Sequence, residues 1–569
     1  MGVSPAVFES AGKKTEHLIP GVYTRRNTVA ATSGLGTDKL VVIGVSNAGK
    51  PRTMLKFSTP SEAKNTLIGG SLLNGVLHAF NGSNDYIPQK VYAYVVNGNT
   101  QASLAMKSGN TPILNVKTNI YGIPANQLKL WLKDGTTGKK VMYSFKGNEG
   151  SIDNIIRPSF SLIYNGEGTT PTCTITSTGI KLQALSSGEA VDEFEATWEE
   201  LETVSELVAR INDTEVYAAT LLDLTEGAKT TELDVCSATA LTTTATKFYS
   251  NVQALMEALE TVQYIGEGNV SLATGATRTM PDNNDGYVYF AGASAGTSTI
   301  DDWSDALEAL QKEKVQSIVT PSTDESVHVL ISDHCSLCNT VAQKKERMFL
   351  VGMAIGATLS QAKAEAAKLN SEYGSLVMHS MVASNPLTGD SETMSGALLA
   401  CKAAGMENSM GSSNPLTNKV VKVSSFIGSE DYEEQITNGI MPFGKNDDDE
   451  LVCIRAMTTY QSDNLALNER SCVREALYMD RDFRAAYSRT IGTNDEPSES
   501  DVVGILFARA ADWYKAGLIT KDDKQNDVFN VKVRFDGDKT YVEYDRYLRT
   551  PRNFVFGTSN NLIYRSAED

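Results

Sequence analysis

Residues 40–96 read LVVIGVSNAGKPRTMLKFSTPSEAKNTLIGGSLLNGVLHAFNGSNDYIPQKVYAYVV, and the order of patterns in this stretch decides the fold. Leu40–Ser46 is a short, unbroken apolar run, the pattern of a strand buried on both faces. Around 60–80 the residues Ala63, Leu67, Leu72 and Val76 recur at helical spacing, with Ser61 as the expected N-cap. Val91–Val96 reads as a second strand. Strand, helix and strand in succession favour parallel pairing through a helical crossover.

The turn after the first strand, Gly44-Val-Ser-Asn-Ala-Gly49-Lys50, fills the first seven positions of the phosphate-binding pattern G-x-x-x-x-G-K-[ST]. The eighth position is Pro51, which brings neither a hydroxyl for Mg²⁺ nor a backbone N–H for a phosphate. No helix begins there either, whereas a nucleotide site needs its amides at a helix N-terminus. A tight strand-exit turn is the better reading.

Before this stretch, residues 1–30 carry few large apolar side chains and no lasting period apart from His17–Tyr23. Such a segment has no core of its own and reads as an arm. After it, 101–190 alternates short apolar runs with Gly, Asn, Asp and Thr clusters: 113–116, 128–132, 141–145, 160–164 and 172–176. That spacing suggests a sandwich or barrel-like insertion. Helices are expected at 198–212 and 248–262, and the Gly- and Thr-rich stretch 265–300 reads as a boundary.

The α/β rhythm resumes at 301. A helix capped by Asp301 and Asp302 precedes a strand at 315–320 and a helix from about 324. A strand at 348–354, a helix at 360–370 and a strand at 375–383 follow. Residues 451–460 read as a strand, 466–490 as one long helix and 500–516 as another. The chain then forms a hairpin, VFNVKVRF and TYVEYDRYL, turned by Asp536-Gly537-Asp538-Lys539. The expected fold is mixed and multidomain. Its discontinuous α/β core is 31–100 with 280–430, and a β-rich insertion, 101–279, divides at 190 into 101–190 and 191–279. An α+β C-terminal domain, 431–569, completes it, with extended arms at both ends.

At 569 residues the chain is too long for one core. Its formal net charge of −18 opposes a broad grip on nucleic acid, which requires clustered Lys and Arg. No run approaches the roughly 20 apolar residues of a membrane span, and the first residues lack the pattern of a secretory signal. Seven scattered Cys suggest reduced, buried thiols.

No catalytic or metal motif survives scrutiny. His334-Cys335-Ser-Leu-Cys338 lies in a helical pattern, where Val327, Leu330, Ile331, Cys335, Cys338 and Ala342 share one face. No second Cys or His pair lies nearby in sequence to complete a zinc site. Pro281-Asp-Asn-Asn-Asp-Gly286 has proline at the first ligand position of a calcium loop, so it reads as a turn. Asp447–Glu450 reads as a solvated loop. No cofactor and no metal are therefore expected.

One helix stands out. Arg470, Arg474, Arg481 and Arg484 fall within an arc of about 80°, opposite Cys472, Ala476, Met479 and Phe483. The stripe reads either as a solvated face laced with i,i+4 ion pairs or as a docking face for an acidic partner.

Several segments together resemble contractile tail sheath proteins of myovirus-type bacteriophages. They are Pro20-Gly-Val-Tyr23, VVIGVSNAGKP with FSTPSEAKNTLIGG, and GALLACKAAG followed by SSNPLTNKVV. Further along come GIMPF with LVCIRAMTTY, NERSCVREALYMDRDFRAAY, and YVEYDRYLRTPRNFVF. The resemblance spans roughly 1–95 and 290–569. It implies a non-enzymatic structural subunit that forms hexameric rings, stacks helically on a tail tube and contracts to drive the tube through a host envelope. It also implies arms that add strands to a neighbour's C-terminal sheet, with Pro20, Gly21, Val22, Tyr23, Val533, Phe535, Tyr541, Val542 and Tyr544 as contacts. Arg470, Arg474, Arg481 and Arg484 would then meet the tube. The implied partners are further copies of the chain, the tail tube, the baseplate and the tail terminator, without direct nucleic-acid binding or membrane insertion. The implied location is the virion, after assembly in the host cytoplasm. A sheath from a contractile bacteriocin or secretion system fits the same segments. The competing classes are a P-loop-like nucleotide-binding protein and a surface adhesin or capsid-associated β-protein.

Overall fold

The structure is a computed structural model that describes residues 6–10, 13–17, 38–225, 227–411, 413–428, 431–462, 464–492 and 498–558. Its centre is a six-stranded sheet in the order β6-β5-β4-β1-β3-β2. The strands are β1 (Leu40–Gly44), β2 (Met54–Phe57), β3 (Val91–Val95), β4 (Ser317–Val319), β5 (Met348–Gly352) and β6 (Gly374–Val377). All pairings are parallel except that of the edge strand β2.

β1 is apolar at nearly every position because helices cover both sheet faces. Leu40 and Val42 point to one face, packed by α1 (Pro60–Leu67), α2 (Ser71–Phe80) and α6 (Gly396–Ser409). Val41 and Ile43 point to the other, packed by α3 (Ile300–Leu310), α4 (Glu325–Cys338) and α5 (Leu359–Leu369). The discontinuous α/β core is thus one doubly covered sheet, closed by segments far apart in sequence.

The helix expected at 60–80 is two helices. Gly70, at φ +94°, lies so close to the first turn that a Cβ would sit 2.8 Å from the Val45 carbonyl oxygen. A continuous helix cannot make that approach, so the chain breaks at Ile68–Gly70. The cap of α1 is Thr59 rather than Ser61: its hydroxyl accepts from the Glu62 N–H at 3.3 Å, and Pro60 takes the first turn, where its missing donor costs nothing. Likewise Thr299, not Asp301 or Asp302, caps α3, with Asp302 closing a capping box.

Three further expectations change. The strand at 375–383 divides, because β6 belongs to the central sheet while Ser380–Ser384 pairs with Ser391–Met394 and Ser425–Ile427. Only Leu451–Cys453 of 451–460 is a strand. The long helix breaks at Glu469 into Leu465–Asn468 and α7 (Arg470–Tyr487), since the buried Glu469 carboxylate is drawn to Arg455 at 2.7 Å.

The insertion is nested rather than divided at 190. One core joins Ala102, Leu114, Leu130 and Val141 to Leu255, Val262 and Phe290. A second, built from Phe160, Leu182, Leu207, Tyr217 and Phe248, lies wholly between its two halves. The boundary placed at 431 also moves: Met441, Phe443, Leu451, Cys453 and Ala456 pack in the α/β core. The C-terminal core proper begins with Tyr478 and Met479 of α7 and adds Leu506, Ala510 and Trp513 of α8 (Glu499–Lys515). The terminal hairpin β7 (Phe529–Asp536) and β8 (Lys539–Asp545) lies against it.

Candidate subunit interface

The terminal hairpin closes through a two-residue turn in which Gly537 sits at φ +63°, a conformation that a side chain would resist. Its inner face anchors it: Val531, Val542 and Tyr544 pack on the C-terminal core, with the Tyr544 ring 5.8 Å from Phe483 and 6.4 Å from Trp513. Val533 is half-buried beside its partner Val542. Toward the tip the cover runs out, and Phe535 is 46% exposed. On the outer face Tyr541 is 40% exposed, under the Arg534 guanidinium at 3.9 Å.

Among the described residues neither β7 nor β8 pairs with a third strand. Each therefore presents an outer row of backbone N–H and C=O groups, the usual template for an added strand. A two-stranded ribbon is marginal alone, so a further strand would stabilise it. The chain beyond is also apolar and uncovered: Phe554, Val555 and Phe556 are 67, 83 and 94% exposed.

At the other end, Ala6–Ser10 pairs antiparallel with Lys13–His17. Pro20, Gly21, Val22 and Tyr23 lie outside the described residues.

The arginine face of α7 packs against the chain's own acids, which corrects the reading of a solvated face laced with i,i+4 ion pairs. Arg470 is fully buried: Nε and Nη2 donate to the two Glu407 oxygens, each at 2.9 Å, and Nη1 donates to the Phe349 carbonyl at 2.8 Å. Burial pushes the Glu407 carboxyl up, but the charges of Arg470 and Arg474 outweigh it and leave the group below its ordinary value. Arg474 donates to the Met410 carbonyl at 3.1 Å, and its Nε lies 3.6 Å from Asp38. Arg481 bonds Asp38 at 3.0 Å, and Arg484 pairs with Glu346. The partners come from distant segments rather than from i,i+4 positions on the helix, so the stripe fastens α7 to the α/β core. Burial pushes the Glu475 carboxyl of the same helix up to about 8, against the pull of Arg474 and Arg549. Neither Asp38 nor Glu407 stood out in the sequence, because each is a single acid far along the chain from its arginine.

The phosphate-loop candidate is closed by its own fold. Ser46 N–H donates to Asn97 at 2.9 Å, Asn47 N–H to the Gly69 carbonyl at 3.1 Å and Gly49 N–H to the Tyr121 carbonyl at 3.2 Å. Those amides are the ones a phosphate would need. In the CxxC segment Cys335 and Cys338 are buried in α4, where Cys335 belongs to the core. Burial pushes both thiols up. Beside them His334 Nε2 accepts from Arg347 at 2.9 Å. No group of three or more His, Cys, Asp or Glu able to hold a metal occurs among the described residues.

No protein-family model matches the chain. The tail sheath protein of Bacillus phage SP01 is 24% identical over 574 aligned residues, covering 96% of this chain and 96% of that protein. The sheath tail protein of Listeria innocua has the same fold with a TM-score of 0.51 at 12% identity, covering 91% of this chain and 98% of that one. That of Desulfitobacterium hafniense aligns over 93% of this chain and 100% of its own at 12% identity, with a TM-score of 0.49. The resemblance carried by the two ends of the sequence is borne out, and it extends through the middle third.

Proposed function

We propose that the chain is the structural sheath subunit of a contractile phage tail. The likeness to a phage tail sheath protein along nearly the whole of both chains carries this reading. The open hairpin at the C-terminal core supports it, since such an edge accepts a strand from a neighbouring copy. In this reading the subunits form hexameric rings stacked around a tail tube, between a baseplate and a terminator, in a virion assembled in the host cytoplasm. The arm around Pro20–Tyr23 and the chain from about 535 onward link one subunit to the next. Contraction is relaxation of a metastable lattice in which each subunit keeps its fold and its interfaces change. It needs no catalysis, nucleotide or cofactor. Of the arginine face of α7, Arg481 and Arg484 keep 22 and 35% of their side chains exposed, so a tube contact by that face falls to them rather than to the buried Arg470 and Arg474.

Deleting residues 2–24 tests the linkage. The shortened chain should remain folded and monomeric, with tubular assemblies absent from negative-stain micrographs. Normal tubes from the shortened chain would overturn the proposal.

A further inference from the structure

Within the second core of the insertion, the strand Thr172–Ile175 pairs antiparallel with Cys236–Ala240. Ile175 stands opposite Cys236, and Cys173 stands opposite Thr239. Cys173 and Ile175 are two residues apart, so Cys236 lies on the sheet face that carries Cys173. Three steps along one strand, from Cys236 to Thr239, face two along the other, which marks a bulge. Ala238 lies in it at φ +41°, with its N–H donating to the Thr174 hydroxyl at 3.1 Å. A bulge increases the local twist, and here the diagonal pair of cysteines meets.

The Cys236 sulfur lies 3.7 Å from the Cys173 carbonyl oxygen, and the two thiols share a hydrogen bond. Both side chains pack in the same apolar core. Cys173 is fully buried there, whereas Cys236 is half-buried and open to a small reagent. Disulfide exchange needs a thiolate as the attacking group. The hydrogen bond from Cys173, joined by those from the Thr239 hydroxyl and the Ile175 N–H, holds the Cys236 thiol down to about 6 against its partial burial. Burial pushes the Cys173 thiol up. The accessible sulfur is therefore the attacker and the buried one resolves.

We infer that Cys236 and Cys173 form an exchange site for small-molecule disulfides, which leaves the two cysteines joined by a disulfide. In the first step the Cys236 thiolate attacks one sulfur of the reagent, whose S–S bond breaks. One reagent thiolate leaves and takes up the proton that Cys236 had given to solvent. In the second step the Cys173 sulfur attacks Cys236 Sγ and expels the other reagent thiolate, which takes up the Cys173 proton. Two cysteine thiols are oxidised, and one reagent disulfide is reduced to two thiols. The new bond ties strands 63 positions apart and so restricts the unfolded chain. The site does not depend on the sheath reading; within that reading it oxidises after the virion has left the reducing host cytoplasm.

The test treats the reduced full-length chain with oxidised glutathione. The intact mass should fall by two hydrogens, and peptide mapping should find Cys173 joined to Cys236. Unfolding of the second core should move up by about 5–10 °C, and a reducing agent should reverse the shift. Cys173→Ala should halt at a single glutathione adduct on Cys236, and Cys236→Ser should give neither adduct nor crosslink at these positions. Wild-type chain that keeps both thiols free overturns the inference. So does wild-type chain that stops at a glutathione adduct on Cys236, since the two sulfurs would then not meet. If Cys173→Ala does not fold, the mapped wild-type bond decides the matter.

Discussion

Arg470 and Glu407 exchange two parallel hydrogen bonds between α7 and α6, and the same guanidinium caps the Phe349 carbonyl of β5. Removing either partner strands a charge out of reach of water. Arg470→Met and Glu407→Gln should therefore each lower the unfolding free energy by about 3–5 kcal/mol in urea titrations. The double change to Met and Leu should recover much of that loss, because it buries neither charge; strictly additive losses would show that the pair is not coupled. The buried histidines make a second residue-level prediction. Burial holds His78 and His334 down to about 3, helped by nearby Lys402 and Arg347, and holds His379 down to about 4 despite its bond to Gln435. Each is neutral when folded and takes up a proton on unfolding below its ordinary value of 6.5. Their contribution to stability is complete above that pH and is lost as the pH falls toward 4 and 3. Well below 6.5 each should steepen the loss by about 1.4 kcal/mol per pH unit. His334→Gln keeps an acceptor for Arg347 and should remove one histidine's share of the slope when urea midpoints are followed from pH 7 to 4.5.

At the scale of elements, the hairpin separates folding from assembly. Tyr544 lies between Phe483 and Trp513, so Tyr544→Ala should cost about 2–3 kcal/mol of stability. Phe535 overhangs the tip, so Phe535→Glu should leave the unfolding midpoint within about 0.5 kcal/mol of wild type while reducing tube formation in micrographs. A matching loss of stability would assign Phe535 to the fold instead of the interface. The hairpin was legible in the sequence because alternation and an Asp-Gly turn are local signals. The central strands and most helices were legible for the same reason. The breaks at Ile68–Gly70 and Glu469 were not, because each is imposed by a distant segment: the Val45–Ser46 turn in one case and Arg455 in the other. The arginine face misled for a related cause. An arc of like charge on a helix reads as solvated until the sequence can say that Asp38, Glu346 and Glu407 converge on it.

At the scale of the molecule, sequence also hides nesting, since a core assembled from two separated halves has no single boundary to find. The structure shows how the innermost unit is joined. Its two connections run side by side, with Ser250 N–H donating to the Arg157 carbonyl at 2.9 Å and the Ser159 and Ser250 hydroxyls 2.6 Å apart. The cores on either side share no residues, so each can unfold as its own unit. Replacing 160–248 by Gly-Ser-Gly should therefore leave a chain that unfolds cooperatively with the remaining cores intact. Several contacts cross the cut, among them Val235 N–H donating to the Arg278 carbonyl at 3.0 Å and the Arg157–Asp223 pair at 3.9 Å, and one of them is a helix cap: Asp234 accepts from the Asn251 and Val252 N–H groups at the start of the helix Asn251–Glu260. Its loss should cost about 1 kcal/mol, the ordinary value of a helix cap, and Ser250, already at the N-cap position, is placed to recover part of it. Subunit linkage runs through the chain ends, so the excised chain should still form tubes. Folded subunits without tubes would place the nested unit in the sheath lattice, and a chain that no longer folds would show that the two cores are one cooperative unit.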